Sequence, residues 1–198
     1  MPGSPAASIE RPLPEVPMTP QRIVLQSVSA EAFTNPRTRT LLSHTGSTTS
    51  LLEHILDEHV NVHAMDVSQA AVGRVCPEAA SPLDLPTGAP VLVRRTTLGT
   101  THHQVSRNLV LAALGRLPWA DTLLRSCTTP LGRHLPQPHR RHPLGHGLDS
   151  WTPGRAAVAR WYLIIDSDTA QPALFIRETF NPDLFDPATT CPPSHARP

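Results

Sequence analysis

The chain has 198 residues, 39% of them hydrophobic, and a formal net charge of +1 at pH 7. This length suits one domain with a sizeable core, and the nearly neutral charge gives no gross electrostatic attraction to nucleic acid or membranes. No stretch approaches the ~20 apolar residues of a membrane-spanning helix, and no cationic, apolar signal sequence opens the chain. We therefore expect a cytoplasmic protein.

The 23 prolines mark the ends of the folded part, because they crowd both termini and the segment from Pro136 to Pro153. We predict a disordered Pro-rich N-terminus over residues 1–20, a single domain over 21–186, and a disordered tail over 187–198. The segment 136–153, rich in Pro, His, Arg and Gly, is predicted to be a flexible loop or lid.

The first half of the chain alternates a helix with strands. A polar loop from residue 44 leads into a helix whose apolar residues, from Leu51 to Val60, recur at helical spacing. Ser50 and Glu53 form a possible capping box at its start. Two strands are predicted over 61–68 and 69–76. The β-branched content of residues 91–98 predicts a further strand, with 104–114 as its partner after a short turn.

The second half begins with helical segments and ends in a hairpin. Residues 119–127 look helical, and Thr129 with Pro130 predicts the start of another short helix. The apolar run 158–165, a polar turn and the return strand 173–180 predict a β-hairpin. Several antiparallel strands with a few helices on one side indicate an α+β fold.

Three charged side chains stand in otherwise apolar rows of these strands: Arg94, Arg107 and Glu178. A carboxylate is costly to bury unless it is paired, and a guanidinium binds carboxylates through two parallel hydrogen bonds. Two inward arginines and one inward glutamate predict a pocket for a small acidic ligand that carries a hydroxyl. The alternative is a structural Arg107–Glu178 ion pair, or arginines at strand ends that reach water.

Other chemistry has little support in the sequence. The three cysteines are widely spaced and form no disulfide framework or zinc motif. The histidines of the 136–153 segment lack acidic or Cys partners at ligand spacing, so we expect no metal. No phosphate-binding Gly-rich loop, nucleophile elbow or His-Glu-x-x-His motif occurs, and we expect no cofactor.

Four pieces of the chain, in order, resemble the chorismate pyruvate-lyase family, which makes 4-hydroxybenzoate. They are HTGSTTSLLEHI, VLVRRTTL with SRNLVL, TPLGRHL, and RWYLIIDSDTAQPALFIRETFNP. The resemblance spans about residues 35 to 185. It implies a six-stranded antiparallel sheet with covering helices and an internal ligand site closed by flap-like loops. Related domains of this fold, the UTRA domains, sense small ligands in transcription regulators.

The resemblance also implies roles for individual residues. Arg94 matches the arginine that holds the ring carboxylate, and Arg107 the arginine that serves a second carboxylate. Leu131 matches a residue whose backbone amide meets the carboxylate, and Thr48 one whose backbone faces the ligand. Glu178 matches the carboxyl that contacts the ring hydroxyl. Glu178 and Arg94 would then be the catalytic residues.

The expected function is a lyase that eliminates pyruvate from chorismate to give 4-hydroxybenzoate or another hydroxybenzoate, without cofactor or metal. One alternative is an enzyme or cyclase of the same fold that acts on another substrate in secondary metabolism. The other is a non-catalytic small-ligand-binding module. Such modules normally follow a helix-turn-helix, for which the short Pro-rich N-terminus leaves no room, so the lyase is preferred. We expect an acidic small-molecule partner, no nucleic acid or membrane, and a monomer or homodimer.

Overall fold

The structure, a computed structural model, describes residues 28–135 and 139–189. The predicted disorder of residues 1–20 and most of the predicted tail lie outside these residues. The four helices of the described residues are α1 (Pro36–Ser43), α2 (Thr48–Leu56), α3 (Val72–Val75) and α4 (Pro118–Ser126). The strands are β1 (Asn61–Ala71), β2 (Pro90–Gly99), β3 (Gln104–Ala113), β4 (His139–Thr152), β5 (Arg155–Asp166) and β6 (Pro172–Phe180).

All six strands form one antiparallel sheet in the order β1-β2-β3-β6-β5-β4. The hairpins β2–β3 and β5–β6 meet in the middle of the sheet, where β3 pairs with β6. The predicted α+β class with a six-stranded antiparallel sheet and covering helices is therefore confirmed. None of the helices in the described ranges is long and apolar enough to cross a membrane.

The sheet has two differently covered faces. We call the side that carries Leu92, Val110 and Ile176 the helix face, because α4 and residues 131–135 pack on it. Towards one end of this face, α1 and α2 bury Leu41 and Leu52 against the sheet. The opposite side, the outer face, packs its apolar residues against the segment 72–83. Each strand thus contributes alternate residues to two separate cores.

The segment predicted as a flexible loop is instead strand β4, which runs from His139 to Thr152. Its composition hides the strand, since Pro and Gly are rare in strand interiors. β4 is an edge strand that pairs with β5 alone, and an edge tolerates a residue without an N–H such as Pro143. A register shift between Pro143 and Gly145 absorbs the irregular sequence.

Two smaller predictions are also wrong. Residues 61–71 form one strand rather than two, because pairing with β2 continues without a break from Ser68 to Ala71. Helix α2 begins at Thr48, and its cap is Ser47, whose hydroxyl accepts a hydrogen bond from the Ser50 amide at 3.4 Å. Ser47 therefore caps one of the free backbone amides at the start of α2, and Ser50 already lies inside the helix.

Candidate ligand-binding site

A small cavity lies between the helix face of the sheet, the start of α2 and the turn at residues 131–135, and it has about 30 Å³ of free volume. That is enough for about two water molecules. Its polar lining consists of Thr48, Thr49, Arg94, Thr96, Asn108, Arg141, Tyr162 and Glu178. Its remaining lining consists of Leu98, Val110, Leu131, Gly132, Leu135 and Ile176.

Arg94 is the most deeply buried charge of the cavity, with 1% of its surface exposed. Strand alternation places it on the helix face opposite Val110. Its Nη2 donates to the carbonyl of Thr129 at 3.1 Å, whereas its Nη1 has no hydrogen-bond partner. None of the ion pairs among the described residues involves Arg94. A buried guanidinium in this state is unfavourable unless an acceptor reaches it.

Glu178 does not pair with either predicted arginine. Its Oε2 accepts hydrogen bonds from Nε of Arg160 at 2.8 Å and from the hydroxyl of Thr48 at 3.0 Å. Both side chains of the Arg160–Glu178 pair are at least nine-tenths buried. The charge of Glu178 is thus compensated within the protein, and the predicted Arg107–Glu178 ion pair is wrong.

Sequence reasoning missed Arg160, although the same signal marks it. Arg160 stands in the apolar run of β5, on the same face as Val158 and Tyr162. Its Nη1 donates to the carbonyls of Leu41 at 2.7 Å and His44 at 3.0 Å. Arg160 therefore ties the end of α1 and, through Thr48, the start of α2 to the sheet.

Arg107 lies on the outer face and does not line the cavity. It pairs across the sheet with Thr97 and Thr179. Its guanidinium lies over the ring of Trp151, 4.4 Å from the centroid, and donates to the carbonyl of that residue. The predicted grouping of Arg107 with Arg94 and Glu178 is therefore corrected.

The sheet has an apolar core on each face, so an apolar row does not identify the cavity side, and a bulge separates Val105 from the row of Arg107. The β2–β3 register shifts between Leu98 and Gly99, so that Val105 has no partner in the ladder. Val105 instead packs in the helix-face cluster with Leu98. Arg107 itself alternates regularly with Leu109 and Leu111, which belong to the outer-face core, so the side chain that reaches the cavity from β3 is Asn108.

Asn108 and Tyr162 add neutral polar groups to the cavity. The Oδ1 atom of Asn108 is buried without a hydrogen-bond partner, and its Nδ2 lies 3.5 Å from the hydroxyl of Thr96. Burial raises the pKa of Tyr162, and the nearby Glu178 carboxylate raises it further. The phenol therefore keeps its proton at neutral pH and can donate a hydrogen bond.

The two other predicted residues, Thr48 and Leu131, also line the cavity. Thr48 is the first residue of α2, and its hydroxyl contacts Glu178 and Arg160. Leu131 begins the short 3-10 turn Leu131–Arg133, two residues after the Thr129 carbonyl that holds Arg94. The structure thus brings together Thr48, Arg94, Leu131 and Glu178 but not Arg107. Their binding roles remain predictions. Within residues 28–135 and 139–189, no group of three His, Cys, Asp or Glu side chains is placed to hold a metal ion.

Comparison with known proteins gives structural likeness alone. No protein-family model matches the sequence, and no curated protein matches it significantly. A GntR-family transcriptional regulator matches with a TM-score of 0.50 at 13% identity, over 76% of this chain and 68% of that one. PhnF from Mycobacterium smegmatis matches with a TM-score of 0.49 at 14% identity, over 78% and 71%. Its separately solved effector domain matches with a TM-score of 0.46 at 15% identity, over 70% and 90%.

The prediction of a chorismate pyruvate-lyase is wrong, and so is the prediction of an enzyme. The solved structure that matches with a TM-score of 0.50 is a transcriptional regulator, not a lyase. The resemblance to the lyase family therefore holds for the fold, which the two groups share. The lyase prediction included chorismate as substrate, pyruvate and 4-hydroxybenzoate as products, and a place in quinone, aromatic-acid or secondary metabolism. These predictions are wrong as well.

Proposed function

We propose that this domain binds a small anionic molecule and does not convert it. The observation that carries the proposal is Arg94, a guanidinium that is 1% exposed, has a free Nη1 and lines the cavity. A charge buried in this way costs stability unless a ligand uses it. A carboxylate or phosphate oxygen is the partner that such a group binds most strongly.

The rest of the lining supports a ligand with an apolar body. Leu98, Val110 and Ile176 form a non-polar wall beside Arg94, and such walls with a few convergent polar groups are typical of small-molecule sites. The Tyr162 hydroxyl and the Asn108 amide offer further hydrogen bonds. The carboxylate of Glu178 is held by Arg160 and Thr48 and is therefore compensated within the protein.

The fold is compatible with a binding role, because a GntR-family transcriptional regulator has the same fold. The cavity holds about two water molecules as it stands, so a larger ligand enters only if the start of α2, which carries Thr48, moves away from the sheet. We propose that the ligand acts as a signal that this domain reports by the position of α1 and α2 over the sheet.

The test compares acids with their neutral amides. Butyrate and benzoate are titrated against the protein, with butyramide and benzamide as matched controls, and thermal unfolding and NMR shifts are followed. At ten times its Kd, a bound acid stabilises the fold by ~1.4 kcal/mol, which raises Tm by about 3–6 °C for a domain of this size. We expect this response for at least one acid and for neither amide.

The matched variant is Arg94→Leu. We expect it to lose the response to acids and, without ligand, to be at least as stable as the wild type, because it removes a buried charge with one hydrogen bond. Arg94→Gln provides a second variant that keeps a polar group. The proposal is refuted if the Arg94 variants respond to the acids as the wild type does, or if the wild type responds to neither acid. It is also refuted if NMR shows that the acid is converted.

A further inference from the structure

A second guanidinium without an acidic partner lines the same cavity. Arg141 lies on β4, where its pairing with Ile164 places it on the helix face. Its Cζ lies 4.4 Å from the ring centroid of Tyr162, and its Nη1 lies 3.4 Å from the hydroxyl of Thr48. None of the ion pairs in the described part of the chain includes Arg141.

The charges around the cavity therefore do not balance. Arg160 and Glu178 neutralise each other in a direct pair. Arg94 and Arg141 remain, so the cavity has two positive charges more than negative ones. Like charges that face one enclosed space repel each other, and bound negative charge relieves this repulsion.

The two arginines approach from opposite sides. Arg94 lies on β2 and Arg141 on β4, and three strands separate them in the sheet. Four strand spacings correspond to roughly 19 Å between the two backbones. The two guanidiniums therefore enter the cavity from opposite sides, so a molecule with an anionic group at each end can contact both.

We propose that the natural ligand carries two separate anionic groups, one bound by Arg94 and the other by Arg141. This inference rests on the proposed function and specifies the chemical class of its ligand: a short dicarboxylate, or a molecule with an acid at each end. The present contacts of Arg141 are a stacking interaction and one long hydrogen bond. Both are weaker than a charge-assisted hydrogen bond to a carboxylate, so a ligand can replace them.

The experiment compares diacids with monoacids of equal carbon count. Succinate is paired with butyrate and glutarate with valerate, all at constant ionic strength, since screening changes charge effects. Binding is measured by NMR titration. For the wild type we expect at least one diacid to bind about tenfold or more tighter than its monoacid, the factor that one added charge-assisted contact supports.

In the variant Arg141→Leu, the Kd of the diacid and the Kd of its monoacid should differ by less than about threefold. Arg140→Leu is the matched control, because Arg140 is its exposed neighbour on the other face of β4, opposite Ile165. It removes the same charge without touching the cavity, and it should keep the wild-type ratio.

The outcomes separate this inference from the proposed function. A wild type that binds monoacids through Arg94 but shows no preference for diacids overturns the inference alone. Equal loss of the preference in the Arg140 and Arg141 variants also overturns it, since bulk charge then explains the effect. Absence of binding for all four acids overturns the proposed function, and the inference with it.

Discussion

Arg160 connects the sheet to both helices that cover the cavity. Its guanidinium binds Glu178 on β6, the carbonyls of Leu41 and His44 at the end of α1, and Thr48 at the start of α2. It is 4% exposed, and its hydrogen bonds spread over three of its nitrogens. Arg94 differs, because one nitrogen has no partner. The first arginine therefore fits a structural role and the second a ligand-binding role.

We predict that Arg160→Leu destabilises the domain by about 3–5 kcal/mol, because it leaves Glu178 buried without its charge partner. Urea unfolding followed by circular dichroism measures this free energy. The control is Arg155→Leu, which breaks the exposed pair of Arg155 with Asp183 and should cost about 1 kcal/mol or less. The double variant Arg160→Leu/Glu178→Leu should recover part of the lost stability. Similar losses of stability in the Arg155 and Arg160 variants would contradict the role given to Arg160.

At the scale of elements, β4 decides how the cavity is completed. Its fourteen residues include Pro143 and the run Gly145-His146-Gly147, and this composition predicts a loop. Pairing with β5 nevertheless holds it along almost its whole length. Because β4 is a strand, Arg141 has a defined direction and reaches Tyr162.

Gly145 is a position at which β4 packs tightly on its neighbour β5. A Cβ there would lie 2.9 Å from Cζ2 of Trp161, which is buried at the outer-face core. We predict that Gly145→Ala lowers the free energy of unfolding by about 1–3 kcal/mol, the usual cost of overpacking. Gly88→Ala is the control, because nothing lies within 4 Å of its Cβ position, and a change within about 0.5 kcal/mol is expected. A neutral Gly145→Ala would show that β4 moves away from Trp161 at little cost.

For the molecule as a whole, two partly buried histidines link stability to pH. Burial lowers the pKa of His44 and of His146 below 6.5, and the charge of Arg160 lowers both further. His146 pairs with Arg160 across β4 and β5, and its Nε2 is buried without a partner. The folded protein thus favours the neutral form of both rings.

The sign of the effect follows from proton binding. Below pH of about 6.5 the unfolded chain takes up protons at these histidines that the folded domain does not bind, so stability falls as pH falls. We predict a constant free energy of unfolding above about pH 7.5 and a decline between pH 6.5 and 5.5, measured by urea unfolding. His146→Gln should make the decline shallower, whereas His102→Gln, at an exposed position, should not. A steeper decline of the free energy of unfolding in His146→Gln would contradict the role given to His146.

The sequence by itself determined the α+β class, most strands and the inward positions of Arg94 and Glu178. These follow from local alternation, which any regular strand obeys. The tertiary structure decided the rest. A second apolar core placed the row of Arg107 on the outer face, pairing with β5 made residues 139–152 a strand, and packing across more than a hundred residues joined Arg160 to Leu41. Local pattern cannot reveal these features, because their free energy comes from contacts between segments that are distant in the chain.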